Sequence, residues 1–175
     1  LGDVYKRQDK HQIIVGNGAA ELLYAICRLP GYTGAFVPAP GFSEYKEALE
    51  ASKIPVRDIF YRPREDDNGK PYFEVPYLAL ETFAAELKGQ DGRIIVFLGN
   101  PNNPDGTLLD KDHIRTVASM LKDANSLLVI DESFIDFVGN DPLQDNEHSM
   151  RSLVNEFDNI IVVHSFTKFY ACLLY

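Results

Sequence analysis

The chain has 175 residues, 45% hydrophobic and 25% charged, with a formal net charge of −9. That length suits one domain with a sizeable core, and the acidity excludes a nucleic-acid binder, which needs clustered Lys and Arg. No apolar run approaches the about 20 residues that span a membrane, and the opening LGDVYKRQDK lacks the apolar core of a signal peptide. Two cysteines without paired spacing, Cys27 and Cys172, point to a reducing compartment and a cytoplasmic protein.

In chain order, QIIV (12–15) reads as a strand leading into a helix near 19–29, with Leu22, Leu23, Ile26 and Leu29 on one side. Cys27 falls on that apolar side and reads as packing. AFVP (35–38) is a strand, followed by a helix near 43–52 in which Tyr45, Ala48 and Leu49 share a face. VRDIFY (56–61) is a strand, and RPREDDNGKPYF is a polar turn or loop. A helix near 76–89 carries Leu80, Phe83, Ala84 and Leu87 at helical spacing. RIIVFLG (93–99) is a strand. The helix at 110–124, capped by Asp110, repeats Ile114, Val117, Ala118 and Leu121. LLVID (127–131) and NIIVVH (159–164) are two more strands. Strands apolar throughout, separated by helices, predict an α/β fold: a mainly parallel sheet with helices on both faces.

Open α/β sheets bind ligands at the carboxyl ends of their strands. GNG (16–18), PAPGF (38–42), GNPNNPDG (99–106), Asp131 and SFTK (165–168) all follow predicted strands. One rim would then carry Gly-rich backbone, an aromatic, an amide, a carboxylate and a lysine. Singly, each has a plain structural reading as a turn, a cap or a solvated charge. Together they match the needs of pyridoxal 5'-phosphate. A lysine amine attaches it covalently, and a buried carboxylate keeps its pyridine nitrogen protonated. An Asn amide can donate to its phenolic oxygen. A helix start with nearby hydroxyls suits its phosphate, and an aromatic face suits its ring.

NPNNPDG, VIDESFIDF and SFTK, in this order and spacing, resemble the fold-type-I pyridoxal-phosphate enzymes of aminotransferase class I/II, from about Asp9 to Ala171. The resemblance implies that Lys168 is the catalytic lysine that attaches the cofactor. Asp131 would partner the pyridine nitrogen, and Asn103 would donate to the phenolic oxygen. Gly18, Ala19 and Ala20 would start the phosphate-binding helix, with hydroxyls from Ser165 and Thr167. Phe42 would stack on the ring, with Tyr45 as second choice. The Asn103–Pro104 bond is cis in many relatives. The pattern is similar to both threonine-phosphate decarboxylase of cobalamin biosynthesis and histidinol-phosphate aminotransferase. Phe134 stands where aminotransferases usually carry a Tyr, and GNGAAELLY, PAPGFSEY and SFTKFYA look more like the decarboxylases. The decarboxylase is therefore the expected branch and the aminotransferase the alternative. In either case a small amino-acid-like phosphorylated substrate and a homodimer are implied. A nicotinamide-binding turn at GNGAAE lacks the full glycine fingerprint, and a non-catalytic binding domain leaves Lys168 and Asp131 unexplained.

His11, His113, His148 and His164 lack metal-ligand spacing. His164 precedes the lysine and reads as strand packing. EDDNG (65–69) lacks the ligand pattern of a calcium loop and reads as a solvated turn, and Asp141, Asp145 and Glu147 are expected on an exposed loop. Residues 9–171 are expected to form a partial cofactor-binding large domain, with tips 1–8 and 172–175 foreign to the family. The resemblance implies that a phosphate-binding arginine, a small C-terminal domain and its substrate-carboxylate arginine lie outside these residues, and that these 175 residues alone are inactive.

Overall fold

A computed structural model describes residues 10–87, 91–139 and 146–171. The expectations for 1–8, 172–175, Cys172, Asp141 and Asp145 lie outside them.

Five strands form one wholly parallel sheet: β1 (Tyr32–Ala39), β2 (Val56–Phe60), β5 (Arg93–Gly99), β6 (Leu127–Asp131) and β7 (Ile160–Val163), in the spatial order β2-β1-β5-β6-β7. Strand side chains alternate between faces. Ile95, Phe97, Leu127 and Val129 pack on one side with Leu23 and Ile26 of α1 (Gly18–Cys27) and with Tyr45, Ala48 and Leu49 of α2 (Glu44–Ala51). Val96, Leu98, Leu128 and Ile130 pack on the other with Leu80 and Ala84 of α3 (Tyr77–Glu86) and with Ile114, Val117, Ala118 and Leu121 of α4 (Lys111–Asp123). Helices therefore cover both faces, as the apolar runs predict. Asp110 caps α4, its side chain accepting from the amides of Asp112 and His113 at 3.0 Å each.

Three local expectations fail. QIIV is not a strand of this sheet: Ile13, Ile14 and Val15 are 43%, 81% and 89% exposed, and no ladder includes them. Apolar character alone does not make a strand without a neighbour to pair with. α1 stops at Cys27 and leaves Leu29 exposed, because Pro30 disfavours helical geometry in the residue before it. The supposed loop 62–73 lies in an antiparallel hairpin, β3 (Arg62–Glu65) with β4 (Pro71–Glu74). Its polar, Pro-containing strands hide the alternation that marks a half-buried strand. EDDNG forms the hairpin turn, where Asp66 Oδ1 accepts from the amides of Asn68 and Lys70 and Gly69 takes a positive φ of 75°. Among the described residues, no helix is long and apolar enough to cross a membrane.

Candidate active site

The chain runs from β1 outward to β2, then returns to β5 and continues outward through β6 to β7. The switch point lies between β1 and β5, where the segments leaving adjacent strands diverge and open a crevice. The segments after β1, β5, β6 and β7 carry Phe42, Asn103, Asp131 and Lys168. Four strand ends contribute, not five, because GNG follows no strand and instead opens α1.

Register sets the floor of this rim. Gly99 lies opposite Asp131, and Asp131 opposite Val163. Two further backbone bonds extend the ladder: the Asn100 amide donates to Asp131 O at 2.8 Å, and the Glu132 amide to Val163 O at 2.7 Å. Gly99 is required by close approach, since a Cβ there would stand 2.8 Å from the Asn102 Cα. That contact marks a tight turn. The Asn102 amide donates to Thr107 O, and the Gly106 amide to Asn102 O. The buried Asn102 side chain donates to Asp105 Oδ2 at 2.6 Å and to Pro40 O at 3.0 Å, bridging the crevice. Asn103 follows in this braced turn, partly buried, and Asn103–Pro104 is cis, as are Asn100–Pro101 and Ala39–Pro40.

Asp131 is 6% exposed. Its Oδ1 accepts from the Ser133 amide at 2.9 Å and the Ser133 hydroxyl at 2.6 Å. Its Oδ2 accepts from the Tyr45 hydroxyl at 2.9 Å. The Tyr45 ring stacks on Phe97 with centroids 5.2 Å apart, and Phe42 meets it edge-on at 5.6 Å. Burial first, and then the neighbouring Asp131 charge, push the Tyr45 hydroxyl well above its ordinary range, so it stays protonated and donates. The second choice of stacking aromatic is thus corrected: Tyr45 is buried and spends its ring on Phe97 and its hydroxyl on Asp131. Phe42 keeps partial exposure at the crevice.

Glu132 points the other way, as alternation past a strand end predicts. It is fully buried and accepts from Ser149 Oγ at 2.6 Å, the Met150 amide at 2.6 Å and Asn100 Nδ2 at 3.1 Å. Burial raises its carboxyl above the ordinary range, and these three contacts pull back less strongly. Asn100 also donates to His148 O. Glu132 is thus a clasp between turns rather than a rim group. Sequence reading missed it and the Tyr45–Asp131 bond alike. The adjacent acids Asp131 and Glu132 carried the only signal.

Lys168 is exposed, its Nζ 6.0 Å from the centroid of the Phe134 ring. Buried Ser165 bonds Thr167, hydroxyl to hydroxyl, at 2.7 Å. At the start of α1, the Gly18 amide donates to Gly16 O and Gly18 has a φ of 81°. The Asn17 amide donates to the Glu21 carboxylate. Ala19 and Ala20 lie in the first turn, where helix amides have no intrahelical acceptor. Cavities of about 390 and 290 Å³ open beside β2 and α3, and no candidate residue lines either.

The donor set fits the predicted cofactor. Among the described residues, Asp131 receives only neutral donors. A buried carboxylate favours a cationic partner, such as a protonated pyridine nitrogen. An amine, an amide and two hydroxyls lie in the segments that leave the two neighbouring strands, and α1 packs on the sheet face that carries Tyr45.

The sequence profile of aminotransferase class I and II matches residues 2–173. The chain is 34% identical over 161 residues to the adenosylcobalamin biosynthesis bifunctional protein CobDQ of Leptospira interrogans, covering 91% of this chain and 16% of that protein. It is 31% identical over 164 residues to the threonine-phosphate decarboxylase of Salmonella typhimurium, covering 91% and 39%. The histidinol-phosphate aminotransferase from Clostridium acetobutylicum has a similar fold, with a TM-score of 0.73 at 24% identity over 97% of this chain and 44% of that one. The chain thus spans well under half of each of these relatives.

Proposed function

Because the chain belongs to the aminotransferase class I and II family, we propose that it supplies the pyridoxal-phosphate site of an enzyme acting on a small, phosphorylated, amino-acid-like substrate. The observation that carries this reading is Asp131. It is a buried carboxylate with neutral donors, at the end of the strand between those that lead to Asn103 and Lys168.

When bound, pyridoxal phosphate supplies an electron sink for the bond being broken. In this reading Lys168 attaches it covalently and Asp131 keeps a proton on its ring nitrogen. Tyr45 and Ser133 hold the carboxylate in position. The Asn103 amide donates to the phenolic oxygen, and Phe42 covers a ring face. The first-turn amides of Gly18, Ala19 and Ala20, with Ser165 and Thr167, hold the phosphate.

The reaction we favour is decarboxylation of threonine phosphate. Phe134 supports it, since a phenyl ring offers no hydrogen bond to the phenolic oxygen, and so does the likeness to a threonine-phosphate decarboxylase. The alternative is transamination of histidinol phosphate, which a likeness to a histidinol-phosphate aminotransferase at 30% identity supports. A homodimer in the cytoplasm completes the reading. The test is to supply the full-length protein that carries this sequence with pyridoxal phosphate and threonine phosphate. Release of carbon dioxide is expected. Efficient amino transfer from histidinol phosphate or glutamate without carbon dioxide would select the alternative.

A further inference from the structure

His164 leaves β7 and precedes Ser165. Its Nε2 lies 3.0 Å from Asp136 Oδ2, and the two side chains are 15% and 4% exposed. Asp136 belongs to the short 3-10 turn Ile135–Phe137 that follows β6. The contact therefore joins two segments that leave adjacent strands. One begins just after Asp131, and the other carries Lys168.

Past Val163 the strap 165–171 has left the ladder, and Phe166 and residues 168–171 are exposed. Its internal bonds, Ser165 to Thr167 and the Ala171 amide to Lys168 O at 3.4 Å, shape it but do not dock it. Two described contacts tie it and its root to the 135–137 turn. One is His164–Asp136, and the other is the Phe137–Phe169 edge contact with centroids 5.1 Å apart. The ring contact lies at the surface, since Phe137 is 58% exposed. The polar contact is buried, where a charge gains more from a nearby polar partner than it does in water. The Asp136 and Arg151 charges both act on the Tyr170 hydroxyl, and Arg151 Nε donates to Ser149 Oγ at 3.0 Å.

We propose that His164 and Asp136 form a clasp that docks the 165–171 strap and so positions Lys168 beside Phe134. The pair acts as a positioning device, not in proton transfer. The role of Lys168 rests on the functional reading above, but the docking of the strap does not. The two atoms stand at ion-pair distance, the polar edge of the imidazole against the carboxylate.

The experiment compares His164→Phe, which keeps a ring and loses its polar edge, with His164→Gln, which keeps a polar group in a similar position. Hydrogen exchange is followed by segment in the cofactor-free full-length protein that carries this sequence. In His164→Phe, amides of 165–171 should exchange at least about tenfold faster while those of β5 and β6 keep their rates, and His164→Gln should recover most of the protection. Should His164→Phe not fold, Asp136→Leu serves the same comparison. Unchanged exchange in 165–171, uniform acceleration through β5 and β6, or no rescue by Gln would each overturn the clasp. Borohydride trapping with pyridoxal phosphate is the second readout, and labelling of Lys168 should fall in His164→Phe and return in His164→Gln. Faster exchange in the strap together with a parent label on some other lysine would leave the clasp standing and reject the assignment of Lys168.

Discussion

The hydroxyl of Tyr45, on α2, donates to the carboxylate of Asp131, at the end of β6, across 2.9 Å in the buried interior. The bond links a helix packed beneath the sheet to the strand end that carries the candidate partner of a pyridine nitrogen. The carboxylate is thereby held before any ligand arrives, and its second oxygen is held independently by Ser133.

Tyr45→Phe keeps the ring on Phe97 and removes this one donor. An under-satisfied buried carboxylate costs about 1–3 kcal/mol. The variant should unfold at lower denaturant concentration by that amount and bind pyridoxal phosphate more weakly. Chemical denaturation and a cofactor titration measure the two effects. Wild-type stability together with wild-type affinity would show that Ser133 alone suffices.

Asp131→Ala and Glu132→Ala should fail in different ways. Asp131→Ala should lose cofactor binding while remaining largely folded. Glu132→Ala strands Ser149, Asn100 and the Met150 amide and should cost about 3 kcal/mol or more. Thermal unfolding and cofactor absorbance, read on both variants, separate the roles. Identical losses in both readouts would contradict the assignment.

The pH dependence of Glu132 has a definite sign. Burial raises its folded value above the ordinary 4.5, so the folded state holds the proton more tightly than the unfolded chain. Its contribution is fully present below the unfolded value and is lost as pH rises from there through the raised folded value. Glu132→Gln removes the titration, so its stability relative to wild type should improve from about pH 4.5 up to the raised folded value and then level off. A difference that stays constant between acid and neutral pH would show that the carboxyl is not raised.

Lys168→Ala should leave stability within about 0.5 kcal/mol of wild type, because the side chain is exposed. It should abolish borohydride-trapped cofactor. Peptide mapping identifies the labelled residue, and a label that persists elsewhere in the variant would move the reacting amine.

Phe134→Tyr restores a donor beside Lys168. On the decarboxylase reading it should lower the ratio of carbon dioxide release to amino transfer, as measured by product analysis. An unchanged ratio would remove Phe134 as a determinant of the reaction.

The sheet and its covering helices were legible in the sequence because their residues are redundant: β5 and β6 carry the unbroken apolar runs 94–98 and 127–130, and α4 repeats its apolar positions turn after turn. QIIV carried the same apolar signal, yet pairing depends on a neighbour that a local pattern cannot reveal. The hairpin 62–74 was illegible for the opposite reason, since backbone pairing holds Pro and charged residues that carry no strand pattern. At the site, the residue types at the strand ends were readable. The fixed uses of Tyr45, Glu132 and Asn102 were not, because each bonds a partner far away in the chain. No spacing rule encodes such pairs.

The strand order also sets a schedule for synthesis. From β5 onward, each new described strand adds to the outer side of the one before, β6 beside β5 and β7 beside β6. A nascent chain that has just released β6 already contains Tyr45 and Asp131, so the carboxylate can be buried with its donor while Lys168 is still inside the ribosome. The candidate amine of Lys168 would arrive after them, onto a floor already assembled.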